Sequence, residues 1–356
     1  MILRYSEILE QIEHAKKKSF HSLIQTYSLS RSFLYFIEKL PLTLMGLYFN
    51  SKKNNHWSTQ ESKKILQLLN ELVLLIKKDS DRISNGIYPN DVLRPELSNQ
   101  MVLGSVKLWI KGLVQIVKTS KHRGANSKFS NSKYVNLNLL FSEDEPANIK
   151  NLKLIYDYQF EVIFLGAMDA MRRMLLAPLK KQFRYSEGEG LNILELGCGS
   201  GRFTYFLKIA FPKAKVIVIE SDDDLLAQAQ SHLGRTKGLN FLNGDAQDLS
   251  FRDHQFDVVV SSFFLSTLNL DSRRRVISEC NRVLVPNGVF GVVDFIQVED
   301  KKEFAWALHH FNEEVSNPNF DSYFRNSVEG SLSHNGFQEL GQDQGFLAKS
   351  LLYKKN

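Results

Sequence analysis

Cysteine is nearly absent from this chain: Cys198 and Cys280 are the only two in 356 residues. A disulfide scaffold is thereby excluded, and two thiols fit a reducing compartment, the cytoplasm. Proline, at 8, and glycine, at 20, are too scarce for a collagen-like or low-complexity chain. Long apolar runs are missing as well. The greasiest stretch, 33–49 (FLYFIEKLPLTLMGLYF), is interrupted by Glu38, Lys39 and Pro41. A membrane span needs roughly 20 mostly uncharged residues, so no transmembrane segment is expected. The stretch reads as two buried helical segments broken at Pro41, with peripheral membrane contact as the alternative. At the N-terminus, Glu7, Glu10 and Glu13 interrupt any apolar core of a secretory signal.

Acids are lacking between Glu96 and Glu143, where Lys107, Lys111, Lys118, Lys121, Arg123, Lys128 and Lys133 fall. Residues 1–150 hold 22 Lys+Arg against 13 Asp+Glu, and the remainder 23 against 26. The basic run could draw an anionic partner, but a solvated helix face followed by a loop is the plainer reading. Between Lys111 and Lys133 the only rings are His122 and Phe129. The stacking aromatics of a nucleic-acid groove are therefore missing, and no specific nucleic-acid site is expected. No zinc-spaced Cys/His cluster, phosphate loop or hydrolase nucleophile elbow occurs.

What is present is ordinary globular material, 43% hydrophobic and 24% charged, long enough for about two domains at ~150 residues each. Residues 1–150 have helical periodicity and form an N-terminal α-helical region. Its clearest helix follows Ser58, with Glu61 as capping-box partner and a broad Leu/Ile face from Ile65 to Ile76. Residues 101–117 give another amphipathic stretch, and 119–133 a polar loop. From 151 a lead-in helix is expected over 152–181, closing at Pro178. Beyond Gly190 the pattern changes to short β-rich runs (NILEL, KVIVIE, LNFLNG, FDVVVSS, VFGVVDF) separated by helix-length segments. That alternation predicts an α/β fold with a mostly parallel sheet, and continuously apolar runs such as VIVI suit strands covered on both faces. The last twenty residues predict an antiparallel edge hairpin.

The chemistry-bearing pattern is ILELGCGSGR, 193–202. Gly197, Gly199 and Gly201 permit a tight turn and close approach to a ligand, and the next helix presents free N–H groups to it. A dinucleotide fingerprint is G-x-G-x-x-G. Counted from Gly197, its third glycine would be residue 202, which is Arg202. The pattern is instead E-x-G-x-G-x-G, beginning at Glu195. Glu220 and Ser221 stand at the end of the second strand, where a carboxylate can accept both hydroxyls of a ribose. Asp245 and Ala246 follow the third, placed to meet an adenine amino group and ring nitrogen. Ser261 and Ser262 close the fourth.

This ordered set resembles the class I S-adenosylmethionine-dependent methyltransferases, closely over residues 192–295. The resemblance implies a Rossmann-like domain over 151–356 that binds S-adenosyl-L-methionine and no metal. It implies Glu195, Gly197, Cys198, Gly199 and Gly201 against the methionine part, Glu220 and Ser221 at the ribose, Asp245 and Ala246 at the adenine, and Ser261 and Ser262 on the crevice floor. SNGIYPNDVLRP (84–95) and YDYQFEVIFLGAMDAMRR (156–173) are similar to bacterial small-molecule methyltransferases with an N-terminal helical region. The polar, acidic segment 134–151 departs from that group. Many family members carry a histidine after the fourth strand, where this chain has Ser266 and Thr267. Cys198 is expected to pack, not to attack. His309 and His310 are candidates for facing substrate, with a surface and a packing histidine as the plainer reading, and Arg172 or Arg173 either meets the cofactor carboxylate or is solvated. The Pro-Pro-aromatic motif of nucleic-acid amino-methyltransferases is replaced by SSFF. The expectation is methylation of a small-molecule or lipid-like acceptor at oxygen or carbon. A macromolecular methyltransferase and a non-catalytic cofactor-binding protein stand as alternatives.

Overall fold

The computed structural model describes residues 21–26, 28–29, 59–93, 156–315 and 317–356. The apolar stretch 33–49, the basic run 107–133, the polar segment 134–151 and the Ser58 cap lie outside them.

Seven strands form one sheet: β1 (Asn192–Leu196), β2 (Lys215–Glu220), β3 (Leu239–Asn243), β4 (Phe256–Ser262), β5 (Leu284–Phe295), β6 (Phe337–Gly345) and β7 (Ala348–Lys355). Their order is β3-β2-β1-β4-β5-β7-β6. The first five run parallel, and β7 pairs antiparallel with both β5 and β6. The expected mostly parallel sheet with an antiparallel edge hairpin is thus observed. Val216, Val218, Val258, Val259, Val260 and Val292 are almost wholly buried, as strands covered on both faces require. Around the sheet lie α5 (Arg202–Ala210), α6 (Asp223–Leu233), α7 (Leu270–Val283), α8 (Ala305–Val315), α9 (Phe320–Arg325) and α10 (Val328–His334).

Chain order reverses at β1, which has β2 on one side and β4 on the other. Ligands of open α/β sheets bind outside the carboxyl ends of the strands at such a switch point. The topology alone therefore places a crevice at the tips of β1 and β4.

Before β1 the chain makes three short helices where one was expected: α2 (Tyr156–Ile163), α3 (Met168–Arg173) and α4 (Leu176–Gln182). Leu165 and Gly166 take left-handed conformations, φ 55° and 77°, and break α2 from α3. Pro178 does not close the helix; it sits in the first turn of α4, where its missing N–H is one the helix cannot use.

Upstream, α1 (Thr59–Ser84) buries Leu72, Leu75, Ile76 and Ile83. It contacts α3 and β6. Asp79 takes the Arg173 guanidinium with both oxygens, the shortest contact being 2.6 Å, and accepts from the Tyr88 hydroxyl. Lys78 and Arg82 both pair with Asp343 on β6, and Lys301 with Glu71. Arg173 and Asp79 are each about 3% exposed. Removing one partner of so buried a pair typically costs about 3–5 kcal/mol.

Candidate active site

After Leu196 the backbone turns through Gly197, Gly199 and Gly201, all left-handed at φ 65°, 57° and 87°. Two of these glycines are needed for different reasons. A Cβ on Gly197 would lie 2.3 Å from the Phe264 ring, whereas one on Gly199 would meet no atom within 4 Å. A side chain thus has no room at Gly197, whereas the space beside Gly199 is open to a ligand. At Gly199 the left-handed backbone itself disfavours a side chain, by roughly 1–2 kcal/mol.

Glu220, at the tip of β2, spans the crevice. Its Oε2 accepts from the Gly199 N–H at 2.9 Å, and its Oε1 from the Ser221 and Asp222 N–H groups at 2.9 and 3.0 Å. One carboxylate thereby ties the glycine loop to the turn that starts α6, whose N-cap is Asp222. Ser221 is exposed. Glu195, on β1, is buried, and neither of its oxygens makes a hydrogen bond of ordinary geometry, although the Thr204 hydroxyl is near enough to act on it. Burial raises its carboxyl to about 8, with the Thr204 hydroxyl pulling the other way and the Glu220 charge adding to the rise. Cys198 is nearly buried. Burial and the charges of Glu195 and Glu220 push its thiol far above the ordinary range, which rules out a thiolate nucleophile at neutral pH.

Asp245 is exposed just past β3; its Oδ1 accepts from the Gln247 N–H at 2.8 Å in a local turn. Ala246 beside it is buried. Ser261, in register with Leu196, is fully buried, and the hydroxyls of both Ser261 and Ser262 lack partners.

These residues fit a cofactor with a cationic end and a ribose. The buried Glu195 carboxyl would be favoured in its ionised form by an approaching positive charge. Gly199 leaves a cradle that a side chain would fill, and Glu220 retains acceptor capacity beyond its three bonds.

Beyond β4 lies a packed aromatic cluster. Phe164 packs on Phe295 and Phe311 at 5.4 and 4.7 Å between ring centres, Phe263 on Phe295 at 4.7 Å, and Phe311 on Phe320 at 5.2 Å. The loop after β4 is held from behind by Arg273, wholly buried, which donates to the Leu265 and Leu268 carbonyls and lies over the Tyr323 ring. Asp294, at the end of β5, accepts from the Ser266 and Phe295 N–H groups. Burial pushes its carboxyl up to about 6. An acid closing the apolar run VFGVVDF was the visible signal for Asp294; Arg273, inside SRRRV, carried none.

Arg172 and Arg173 are not free to meet a cofactor carboxylate. Arg173 is committed to Asp79, and Arg172 bonds Asp157 at 2.9 Å and Asp169 at 3.2 Å. Asp157 also accepts from the Ser200 hydroxyl inside the glycine loop. His309 is exposed with Asp321 3.9 Å away, and His310, half-buried, follows it on α8. Among the described residues no cluster of three or more His, Cys, Asp or Glu is placed to hold a metal, and no helix is long and apolar enough to cross a membrane.

Sheet order, glycine turn and acids at successive strand tips form a Rossmann-like arrangement of the methyltransferase kind. Residues 193–288 match the family model described as a methyltransferase domain. The chain is 30% identical over 161 residues to a malonyl-[acyl-carrier protein] O-methyltransferase of Geobacter sulfurreducens, covering 44% of this chain and 59% of that one. It is 28% identical over 188 residues to a fatty-acid O-methyltransferase of Mycolicibacterium smegmatis, covering 52% and 62%. It therefore spans about three fifths of the length of these curated relatives. Among solved structures, the CurJ carbon methyltransferase aligns at a TM-score of 0.46 with 14% identity, over 61% of this chain and 63% of that one.

Proposed function

We propose that this chain transfers a methyl group from S-adenosyl-L-methionine to a small or lipid-like acceptor, at oxygen or carbon. The observation that carries the reading is the Glu220 carboxylate bonded to the Gly199 N–H at the switch point of the sheet, beside the buried Glu195. Glu220 is assigned to the ribose hydroxyls and Asp245 with Ala246 to the adenine. Glu195 and the loop Gly197–Gly201 lie against the methionine end, with Ser221 at the rim and Ser261 and Ser262 on the floor. The aromatic cluster of Phe160, Phe164, Phe263 and Phe311 suits an apolar acceptor. The names of the two relatives, one acting on a malonyl carrier protein and one on fatty acids, support a lipid-like class.

The cofactor supplies a methyl group already activated on a sulfonium. What remains for the protein is alignment of donor and acceptor and exclusion of water, and orientation alone is worth many orders of magnitude in rate. A general base is required only if the acceptor must lose a proton. Asp294 is buried and committed to two backbone N–H groups, which disfavours it as that base. Two free, buried cysteines suit the cytoplasm. The test is turnover of methyl-labelled cofactor against fatty acids, quinols and a lipid extract. Label in an organic-soluble product supports the reading; label in protein or RNA alone favours the macromolecular one, and no label with intact cofactor binding favours a non-catalytic binder.

A further inference from the structure

Both residues that flank Gly201 are tied outward to the helices before β1. Ser200 donates its hydroxyl to Asp157 of α2. Arg202, the first residue of α5, grips Asp169 of α3 with two nitrogens, at 3.0 and 2.6 Å. Arg172 of α3 closes the chain, bonding Asp157 at 2.9 Å and Asp169 at 3.2 Å. The result is a continuous line, Ser200–Asp157–Arg172–Asp169–Arg202, with two acids and two arginines. Asp169 and Arg172 are buried, and the Asp157 side chain is 26% exposed. Desolvating four charges is costly, and hydrophobic replacements of such groups are often neutral or better. A role beyond stability therefore accounts for a charged line at this place more simply.

The same helix, α2, also reaches the aromatic cluster. Phe160 stands 6.4 Å from Phe311, and Phe164 4.7 Å. One eight-residue helix thus touches the glycine loop through Asp157 and the aromatic cluster through Phe160, with Phe164 just past its end.

We infer that Asp157 is a positioning residue: through Ser200 it holds the glycine loop in its ligand-ready turn and couples the seating of α2 to cofactor binding. The inference rests on the reading of the crevice as a cofactor site. A loop of alternating left-handed glycines has little stiffness of its own, and Ser200 carries its only side-chain hydroxyl. Coupling is reciprocal, so a cofactor that selects the held loop also holds α2.

Four variants test it: Ser200→Ala, Asp157→Ala, Asp157→Asn and the double variant Ser200→Ala/Asp157→Ala. Amide hydrogen exchange of the ligand-free full-length protein is read first. Exchange across 198–201 is expected to rise at least tenfold in Ser200→Ala and Asp157→Ala, with exchange of β4 and β5 unchanged. Calorimetry with S-adenosylhomocysteine follows. Each Ala variant is expected to bind about tenfold more weakly, the double variant no more weakly than either single one, and Asp157→Asn in between. In wild type the cofactor product is expected to slow exchange in 156–163, and in Ser200→Ala this protection is lost. Unchanged loop exchange and affinity in Ser200→Ala overturn the inference, as does additive loss in the double variant. Should Asp157→Ala fail to fold, Ser200→Ala decides alone. Wild-type protein that fails to bind, yet shows the expected loop exchange, counts against the cofactor reading and leaves the mechanical link standing.

Discussion

The two halves of the crevice are built on opposite terms. At β1–β3 the walls are backbone turns and acids: an open space beside Gly199, a buried carboxyl at Glu195, a carboxylate at Glu220 engaged by three N–H groups. At β4–β5 stand interlocked rings, with Phe164, Phe295, Phe311 and Phe320 all nearly buried and the loop behind them fixed by Arg273. The first half carries left-handed turns and buried polar groups without partners; the second owes its shape to packed rings.

The sharpest way to break that contrast is to put bulk where the halves touch. Gly197 backs directly on the Phe264 ring. Gly197→Val is expected to destabilise the fold by more than about 4 kcal/mol, read by urea unfolding, because strain and overpacking coincide there. Gly199→Val, one turn away in open space, is expected to spare most stability while abolishing cofactor binding. Equal unfolding midpoints for the two would erase the difference between a packed and an open glycine. On the aromatic side, Phe311→Ala is expected to cost about 3–5 kcal/mol by the same measurement, with cofactor affinity changed less than threefold. A large loss of cofactor affinity there would show that the halves are not separable.

A third test uses pH. Burial raises Glu195 to about 8, so the folded protein holds a proton that the unfolded chain releases near the ordinary carboxylate value. The contribution of this group to stability is full below pH about 4.5 and is lost as pH rises toward 8, about 3 kcal/mol of it by pH 7. Glu195→Gln is expected to flatten that segment of the stability–pH curve in the ligand-free protein; an unchanged slope would mean that Glu195 is ionised in the fold.

The half at β1–β3 was the legible one. Its determinants lie within a residue or two of each strand end, so ELGCGSG, VIVIE and NGDA announce turn, acid and strand tip in order. The helix breaks before β1 were half-written: Gly166 marks one of them, yet Pro178 suggested an end where the first turn of a helix tolerates it. The aromatic half and the charged line were not legible. Phe160 and Phe311 lie far apart in the chain, as do Asp157 and Ser200, separated by 43 positions. Nothing local distinguishes a ring that meets another ring from one that meets solvent. The charges of Asp169, Arg172 and Arg173 inside an otherwise apolar helix were a signal of burial and pairing. Reading the arginines as ligands for a cofactor carboxylate overlooked the acids already next to them.

The central claim is that Glu220 holds the ribose of S-adenosylmethionine, with the glycine loop against its methionine end. Isothermal calorimetry of wild type and Glu220→Ala with S-adenosylhomocysteine, and of wild type with NAD, tests it most directly. Loss of charge-assisted hydrogen bonds worth about 1.5–3 kcal/mol each is expected to weaken S-adenosylhomocysteine binding at least tenfold in Glu220→Ala, with no NAD binding by wild type. Equal affinity in the two proteins, or NAD bound in place of S-adenosylhomocysteine, would contradict it.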